Sequence, residues 1–211
     1  MRAAVICGGN PDTSDEVRAY VSAADLIISC DAGAKLCKAL GVKPHIMAGD
    51  FDSAGEELVK ELENSGVEII RVPCEKDFTD SELGLRLAVE MGADDITLIG
   101  CIGTRLDHTL ANFHLLMIPL KAGVTARLVD SHNTVYLIDD KISLNVEKNR
   151  LLSLIPLTTT VKGVTTKGLY YALNNAELTV GNSLGISNVS TEEKVEVKIK
   201  EGLLLVILSK D

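Results

Sequence analysis

The feature that most restricts the fold is a change of rhythm at about residue 131. Before it, short apolar runs at 3–7, 26–30, 45–48, 68–72, 96–99 and 126–129 alternate with segments at 16–24, 34–40, 56–64, 81–91 and 106–118 whose apolar residues recur three and four apart. The runs predict buried strands and the spaced segments predict helices. Strand and helix in alternation imply βαβ units, hence an α/β fold with a mostly parallel sheet covered by helices on both faces. Beyond residue 131 the pattern becomes short alternating segments rich in Thr, Val, Leu and Asn, at 134–138, 151–154, 161–166, 177–180, 195–199 and 203–208. Turn signals stand between them at Lys162-Gly163, Asn174-Asn175, Gly181-Asn182 and Glu201-Gly202. This part predicts a small C-terminal antiparallel β-sandwich or barrel. The boundary is expected near 140–147, giving domains at 1–138 and 139–211.

Charge follows the same division. The chain carries 30 acidic and 21 basic side chains, a net charge of −9. Residues 1–130 hold 21 acids against 12 bases and residues 131–211 nine of each, so the whole excess lies in the α/β part. A protein so charged gains nothing from counterion release on nucleic acid or from anionic lipid, and neither partner is expected. The start of the chain has no apolar leader and no later stretch approaches the ~20 apolar residues of a membrane span, which predicts a cytoplasmic protein. Five cysteines (Cys7, Cys30, Cys37, Cys74 and Cys101) occur without a CxxC pair, a pattern that predicts reduced, mostly buried thiols and argues against a zinc site.

In an open α/β sheet, ligands bind beyond the carboxyl ends of the strands, where strand order reverses. Four such ends carry acids. The second strand runs into Asp31-Ala32-Gly33-Ala34 and the third into Gly49-Asp50-Phe51-Asp52-Ser53. Asp50 and Asp52, two apart in extended chain, point the same way. They repel unless a cation or proton lies between them. Oxygen donors of this kind suit magnesium, which takes one or two carboxylates plus substrate phosphates; a solvated turn is the alternative. The next strand leads into Lys76-Asp77-Phe78-Thr79-Asp80-Ser81-Glu82, where Thr79 and Glu82 form a capping box that starts a helix at Asp80. The free N–H groups of that helix make an anion site, and Lys76 would reach a phosphate as a point charge; at Asp80 the helix dipole alone is the competing explanation. The fifth strand runs into Gly100-Cys101-Ile102-Gly103-Thr104-Arg105-Leu106-Asp107-His108. At ~100° per residue, His108 and Asn112 fall within about 60° of Arg105, while Leu106, Leu110, Phe113 and Met117 form an opposing apolar stripe. Asp107 lies about 160° from Arg105 in a continuous helix, so the two converge on one ligand only if Arg105 is still in the loop. There is no GxSxG, HExxH, Walker A or GxGxxG pattern to support a nucleophile, zinc-protease or dinucleotide reading.

Taken in order, Asp31-Ala-Gly-Ala, Gly49-Asp-Phe-Asp-Ser53, Lys76-Asp-Phe-Thr-Asp80 and Arg105-Leu-Asp-His108 resemble the motifs of the thiamine pyrophosphokinase family. The resemblance continues through Leu152-Ser-Leu-Ile-Pro156, the Lys162-Gly163 and Lys167-Gly168 turns and Ile186-Ser-Asn188, and so covers nearly the whole chain. It implies magnesium-dependent transfer of an intact diphosphate from ATP to the thiamine hydroxyl, with release of AMP, by a homodimer. By the same resemblance Asp50, Asp52, Asp80 and Asp107 would hold magnesium, and with Arg105 would form the catalytic set. Lys76 and Arg105 would offset charge on the transferring group. Asp31, Ser53, Lys76, Asp77, Thr79, His108 and Asn112 would hold ATP. Ser187 and Asn188 would hold thiamine, near the catalytic face of the partner subunit, with Tyr170 and Tyr171 as candidates to stack on its rings. Asp52 and Asp107 are both candidates to accept the hydroxyl proton, with its late loss to water as the other route. The chain departs from the family pattern at Ala32, at Thr104 and at Val189, each where the family more often has glycine, glycine and an acid. A nucleotide- or thiamine-binding sensor that kept the fold without the chemistry is the alternative, and loss of the acidic set would mark it. The acidic excess itself implies that ATP is accepted only with metal, because an acidic cleft repels a bare polyphosphate.

Overall fold

A computed structural model describes residues 1–210 of the chain. They divide into two compact units, Met1–Ser131 and a second beginning at His132.

In the first unit, strands β1 (Arg2–Ile6), β2 (Leu26–Cys30), β3 (Ile46–Gly49), β4 (Glu68–Arg71), β5 (Asp95–Ile99) and β6 (Thr125–Val129) alternate with helices α1 (Asp15–Ser22), α2 (Gly33–Leu40), α3 (Glu56–Asn64), α4 (Asp80–Glu90), α5 (Leu106–Leu115) and α6 (Met117–Lys121). All pairings in this unit are parallel, in the order β6-β5-β1-β2-β3-β4. Ala4, Ile6 and Ile27 face α1 and α2, packing on Val17, Val21, Leu36 and Leu40. Their neighbours Val5, Ile28 and Cys30 point to the other side, where α4 crosses. Gly84 lets that helix approach, since a Cβ there would strike Cys30 Sγ. Strand order reverses between β1 and β5, which sets the carboxyl ends of these strands as the expected ligand side. The backbones there are close enough to require glycine: Gly9 N–H donates to Gly100 O at 2.7 Å, and a Cβ on Gly9 would meet the Gly100 and Ile102 carbonyls at 2.5 Å.

The expected helix at 106–118 is broken into α5 and α6. Pro119 has no N–H to donate four residues back, so the first helix ends before it. Its buried face also differs from the expected one. Leu106 and Leu110 are 73% and 58% exposed, whereas Thr109 and Asn112 are buried. The inward face is polar because the loop after β5 needs hydrogen-bond partners: Asn112 Nδ2 donates to Cys101 O at 2.7 Å, and Gly103 N–H donates to Thr109 Oγ1 at 3.1 Å.

The second unit contains β7 (Asn133–Ile138), β8 (Lys141–Asn145), β9 (Leu151–Pro156), β10 (Thr160–Lys167), β11 (Ala176–Thr179), β12 (Asn188–Val189), β13 (Lys194–Lys198) and β14 (Leu204–Ser209). They form two antiparallel sheets, β12-β9-β14-β7 and β11-β10-β13-β8. Leu152, Leu154, Leu204 and Val206 of one sheet share a core with Val161, Val164, Val195 and Val197 of the other, which makes the unit a sandwich. The segment 140–147, expected as a boundary, contains β8, whose Ile142 and Leu144 pack on that core. Lys162-Gly163 is no turn. It is a bulge inside β10, where the register shifts between Lys162 and Val164 and Gly163 has φ 70°. Cys7, Cys30, Cys37 and Cys101 are buried free thiols and Cys74 is exposed, in keeping with the expectation of mostly buried thiols. Among the described residues no helix is long and apolar enough to cross a membrane.

Candidate active site

The acids gather where β2, β3 and α4 meet. Asp31 follows β2 in a left-handed conformation, φ 41°, and is buried, with Oδ1 accepting from Ala54 N–H at 3.0 Å. β3 ends at Gly49, so Asp50 and Asp52 lie in a turn rather than in extended chain. Asp50 Oδ1 accepts from Asp52 N–H at 3.2 Å, and Phe51 between them has φ 67° and is buried. One carboxylate oxygen from each of Asp31, Asp50 and Asp52 lies within 4.8 Å of the other two. Among the described residues this is the group of acids that converges, and Asp80 and Asp107 lie outside it.

Lys76 ties the group to Asp80. Its side chain is 8% exposed, and the ammonium lies 3.0 Å from Asp50 Oδ2 and 3.0 Å from Asp80 Oδ1. The first contact is an aligned hydrogen bond. The second is an ion pair off the bonding direction, so Asp80 Oδ1 is buried without a hydrogen bond. The Lys76 hydrogen bond holds Asp50 below the ordinary carboxylate range. Burial pushes Asp80 above it; Lys76 offsets part of this, and the charges of Asp50 and Asp31 add to it. On Lys76 burial pulls the proton affinity down, but the two carboxylates outweigh it and the net shift is upward. Thr79 caps α4, accepting from Glu82 N–H at 3.2 Å, but the reciprocal half of the expected box is replaced: the Glu82 carboxylate pairs with Arg86 at 2.7 Å. Asp77 is exposed. Ser53 Oγ donates to Asp52 Oδ1 at 2.8 Å, and Lys35 Nζ donates to the Ser53 carbonyl.

Arg105 is the N-cap of α5 with extended backbone, φ −85° and ψ 102°, so it is still in the loop as convergence requires. Its guanidinium grips Asp107 at 2.6 Å, both side chains exposed, and that hydrogen bond holds the Asp107 carboxyl low. His108 is exposed, while Asn112 is buried on the Cys101 carbonyl and has a structural task. In the second unit Ser187 is exposed with φ 56° and Asn188 is buried.

Sequence reading gave Asp31 to the nucleotide and did not join it to Asp50 and Asp52; the register Cys30↔Ala48 between β2 and β3 is what sets those strand ends side by side. Lys35 and Gly49 were not singled out. A Cβ on Gly49 would stand 3.2 Å from Asp31 Cβ and 3.2 Å from Asp80 Oδ1, and its place before two acids was the available signal.

Residues 17–128 match the family model described as thiamin pyrophosphokinase, catalytic domain, and residues 140–204 match thiamin pyrophosphokinase, vitamin B1 binding domain. Thiamine pyrophosphokinase of Bacillus subtilis (strain 168) is 30% identical over 210 residues, 98% of each chain. The chain belongs to the thiamine pyrophosphokinase family. It is an enzyme, and the activity of the family is formation of thiamine diphosphate. The fold agrees: the crystal structure of the Bacillus subtilis enzyme superposes with a TM-score of 0.89 at 29% identity over 100% of both chains. That of the Geobacillus thermodenitrificans thiamin pyrophosphokinase gives 0.88 at 29% identity, covering 100% of this chain and 98% of the other.

Proposed function

We propose that the protein transfers an intact diphosphate from ATP to the hydroxyl of thiamine, with magnesium as the metal and AMP as the second product. The observation that carries this reading is the convergence of Asp31, Asp50 and Asp52 beside a lysine that also contacts Asp80. Three hard oxygen donors around one point fit a small divalent cation and leave room for phosphate oxygens as further ligands. Asp31, Asp50 and Asp52 would hold the metal, with Asp80 adjacent. Asp107, expected in the same set, instead accompanies Arg105. Magnesium, when bound, neutralises charge on the ATP phosphates.

The thiamine oxygen attacks the β-phosphorus, the bond from that phosphorus to the α–β bridging oxygen breaks, and AMP leaves with the oxygen. Transfer of this kind depends on positioning and charge stabilisation rather than on an enzyme nucleophile. Lys76 orients Asp50 and Asp80, and Arg105 supplies positive charge from the loop. The hydroxyl proton passes to Asp52 or to water; Asp107, held low by Arg105, is the weaker acceptor. Ser53, Asp77, Thr79, His108 and Asn112 belong to the nucleotide side of this reading, the last by fixing the loop after β5. Residues 1–138 are assigned to ATP and catalysis and residues 139–211, with Ser187 and Asn188, to thiamine. A cytoplasmic homodimer with the thiamine site near the subunit interface completes the reading.

Incubation with magnesium, ATP and thiamine should yield AMP and thiamine diphosphate in equal amounts. ADP in place of AMP would show transfer of a single phosphoryl group instead. ATP should bind much more weakly in chelator, and equal affinity would overturn the metal assignment.

A further inference from the structure

Asn188 stands in the segment assigned to thiamine, yet its amide is already engaged. Oδ1 accepts from Tyr171 N–H at 3.0 Å and from Val189 N–H at 2.9 Å, while Nδ2 donates to Tyr171 O at 2.8 Å. Two backbone donors on one atom and a carbonyl on the other fix which end of the amide is which. The residue is 6% exposed. Tyr170 N–H donates to Val189 O at 2.9 Å, and Leu169 bridges Ser190, so both chain segments are joined on either side of the amide. The tyrosine side chains beyond this clamp are open to solvent, 69% and 65% exposed, with ring centroids 4.8 Å apart and planes at 84°. Two large rings left exposed on a fixed backbone form a surface ready for a flat or cationic group. Thiamine offers both, a pyrimidine ring and a thiazolium with permanent positive charge.

We infer that Asn188 serves thiamine as a positioning residue, holding the Tyr170–Tyr171 pair by their backbone as the face on which the vitamin rests, and does not touch the vitamin itself. This rests on the proposed transfer to thiamine. The clamp is tested apart from that reading by near-ultraviolet circular dichroism, because the chain has four tyrosines and no tryptophan. Asn188→Ala should lose the share of the tyrosine signal owed to Tyr170 and Tyr171, leaving that of Tyr20 and Tyr136, while the far-ultraviolet spectrum stays native, and Asn188→Asp, which keeps both acceptor contacts, should lose less. An unchanged near-ultraviolet spectrum in Asn188→Ala overturns the clamp. Thiamine binding by calorimetry supplies the second arm. Asn188→Ala and Tyr171→Ala should each weaken binding roughly tenfold, the value of one ring contact, with the effect falling on KM for thiamine rather than on kcat or on KM for ATP. Added to a Tyr170→Ala/Tyr171→Ala background, which has lost both rings, Asn188→Ala should weaken binding no further. Effects that multiply would show that Asn188 touches the vitamin and would overturn the inference. If wild-type protein binds no thiamine while Asn188→Ala still loses the tyrosine signal, the functional reading fails and the clamp alone survives.

Discussion

Replacing Gly49 by alanine tests whether the acids work as one site. Gly49 ends β3 with φ 151°, and a Cβ there would stand 3.2 Å from Asp31 Cβ, 3.2 Å from Asp80 Oδ1 and 3.3 Å from Asp31 N. Backbone in a region that side chains avoid costs about 1–3 kcal/mol. In a chain of this size each kcal/mol lowers Tm by about 2–4 °C. The backbone share of the loss for Gly49→Ala is therefore about 2–12 °C, and the close contacts of the new Cβ add to it. Gly66→Ala is the control: φ is 86° but nothing lies within 4 Å of the new methyl, so backbone strain is its whole cost. The steric part is peculiar to Gly49. It can be relieved only by turning the Asp80 carboxylate aside or by moving Asp31, and either displaces an acid. AMP release titrated with magnesium, alongside thermal melts, separates the two effects. Gly49→Ala should lose about tenfold or more in kcat/KM and need more magnesium for half-maximal rate, at a level of misplacement that costs other enzymes as much. Gly66→Ala should keep both parameters. A Gly49→Ala protein that melts like Gly66→Ala and keeps the wild-type magnesium requirement would refute the argument.

Lys76→Met should raise the proton affinities of Asp50 and Asp80 together, since the first loses the bond that holds it low and the second the charge that offsets its burial. The acidic limb of the pH–rate profile should move to higher pH, and a limb that stays in place would remove Asp50 and Asp80 from the rate-determining groups. Asp107→Asn breaks an exposed pair, so activity should fall while Tm stays within about 2 °C; a large loss of Tm would mark the pair as structural. Ser29→Ala should leave Tm unchanged or raise it by about 2–4 °C, because Ser29 Oγ is buried without a hydrogen bond. A clear fall in Tm would show that the hydroxyl has a partner.

What could be read from the sequence was what local rules determine. The six strands of the first part and helices α1 to α4 follow from apolar spacing, and the Thr79 cap needs only the residue three places on. The face of α5 could not be read in this way. Spacing turned Leu106 and Leu110 inward, but the loop from Gly100 to Arg105 needs donors and acceptors beneath it, and Thr109 and Asn112 meet that need. Apolar spacing carries no information about that demand. β8 escaped because only Ile142 and Leu144 of its five residues are apolar, and β12 because two residues carry no period. The site shows the same limit. The motifs named the right strand ends, while the meeting of Asp31 with Asp50 and Asp52 depends on strand register and on left-handed backbone at Asp31 and Phe51.

The electrostatics of the site give opposite contributions to stability, and magnesium should tip the balance. Asp50, lowered in the folded protein, contributes stability that is present above its unfolded pKa and is lost as pH falls through the folded value. Asp80 is raised, so its folded form holds a proton that the unfolded chain has already released; stability falls as pH rises from the unfolded value through the folded one. Above both ranges the protein therefore carries an ionised Asp80 whose buried Oδ1 has the Lys76 ion pair but no aligned hydrogen bond, so that part of the burial cost is retained in the resting site. A cation beside Asp50 and Asp80 counters that cost only when the carboxylates are ionised. The rise in Tm on adding magnesium should accordingly grow as pH increases through the elevated range of Asp80, and in Asp80→Asn it should be smaller and lose that dependence. A magnesium-induced shift of equal size in wild type and Asp80→Asn at every pH would mean that Asp80 does not sense the metal.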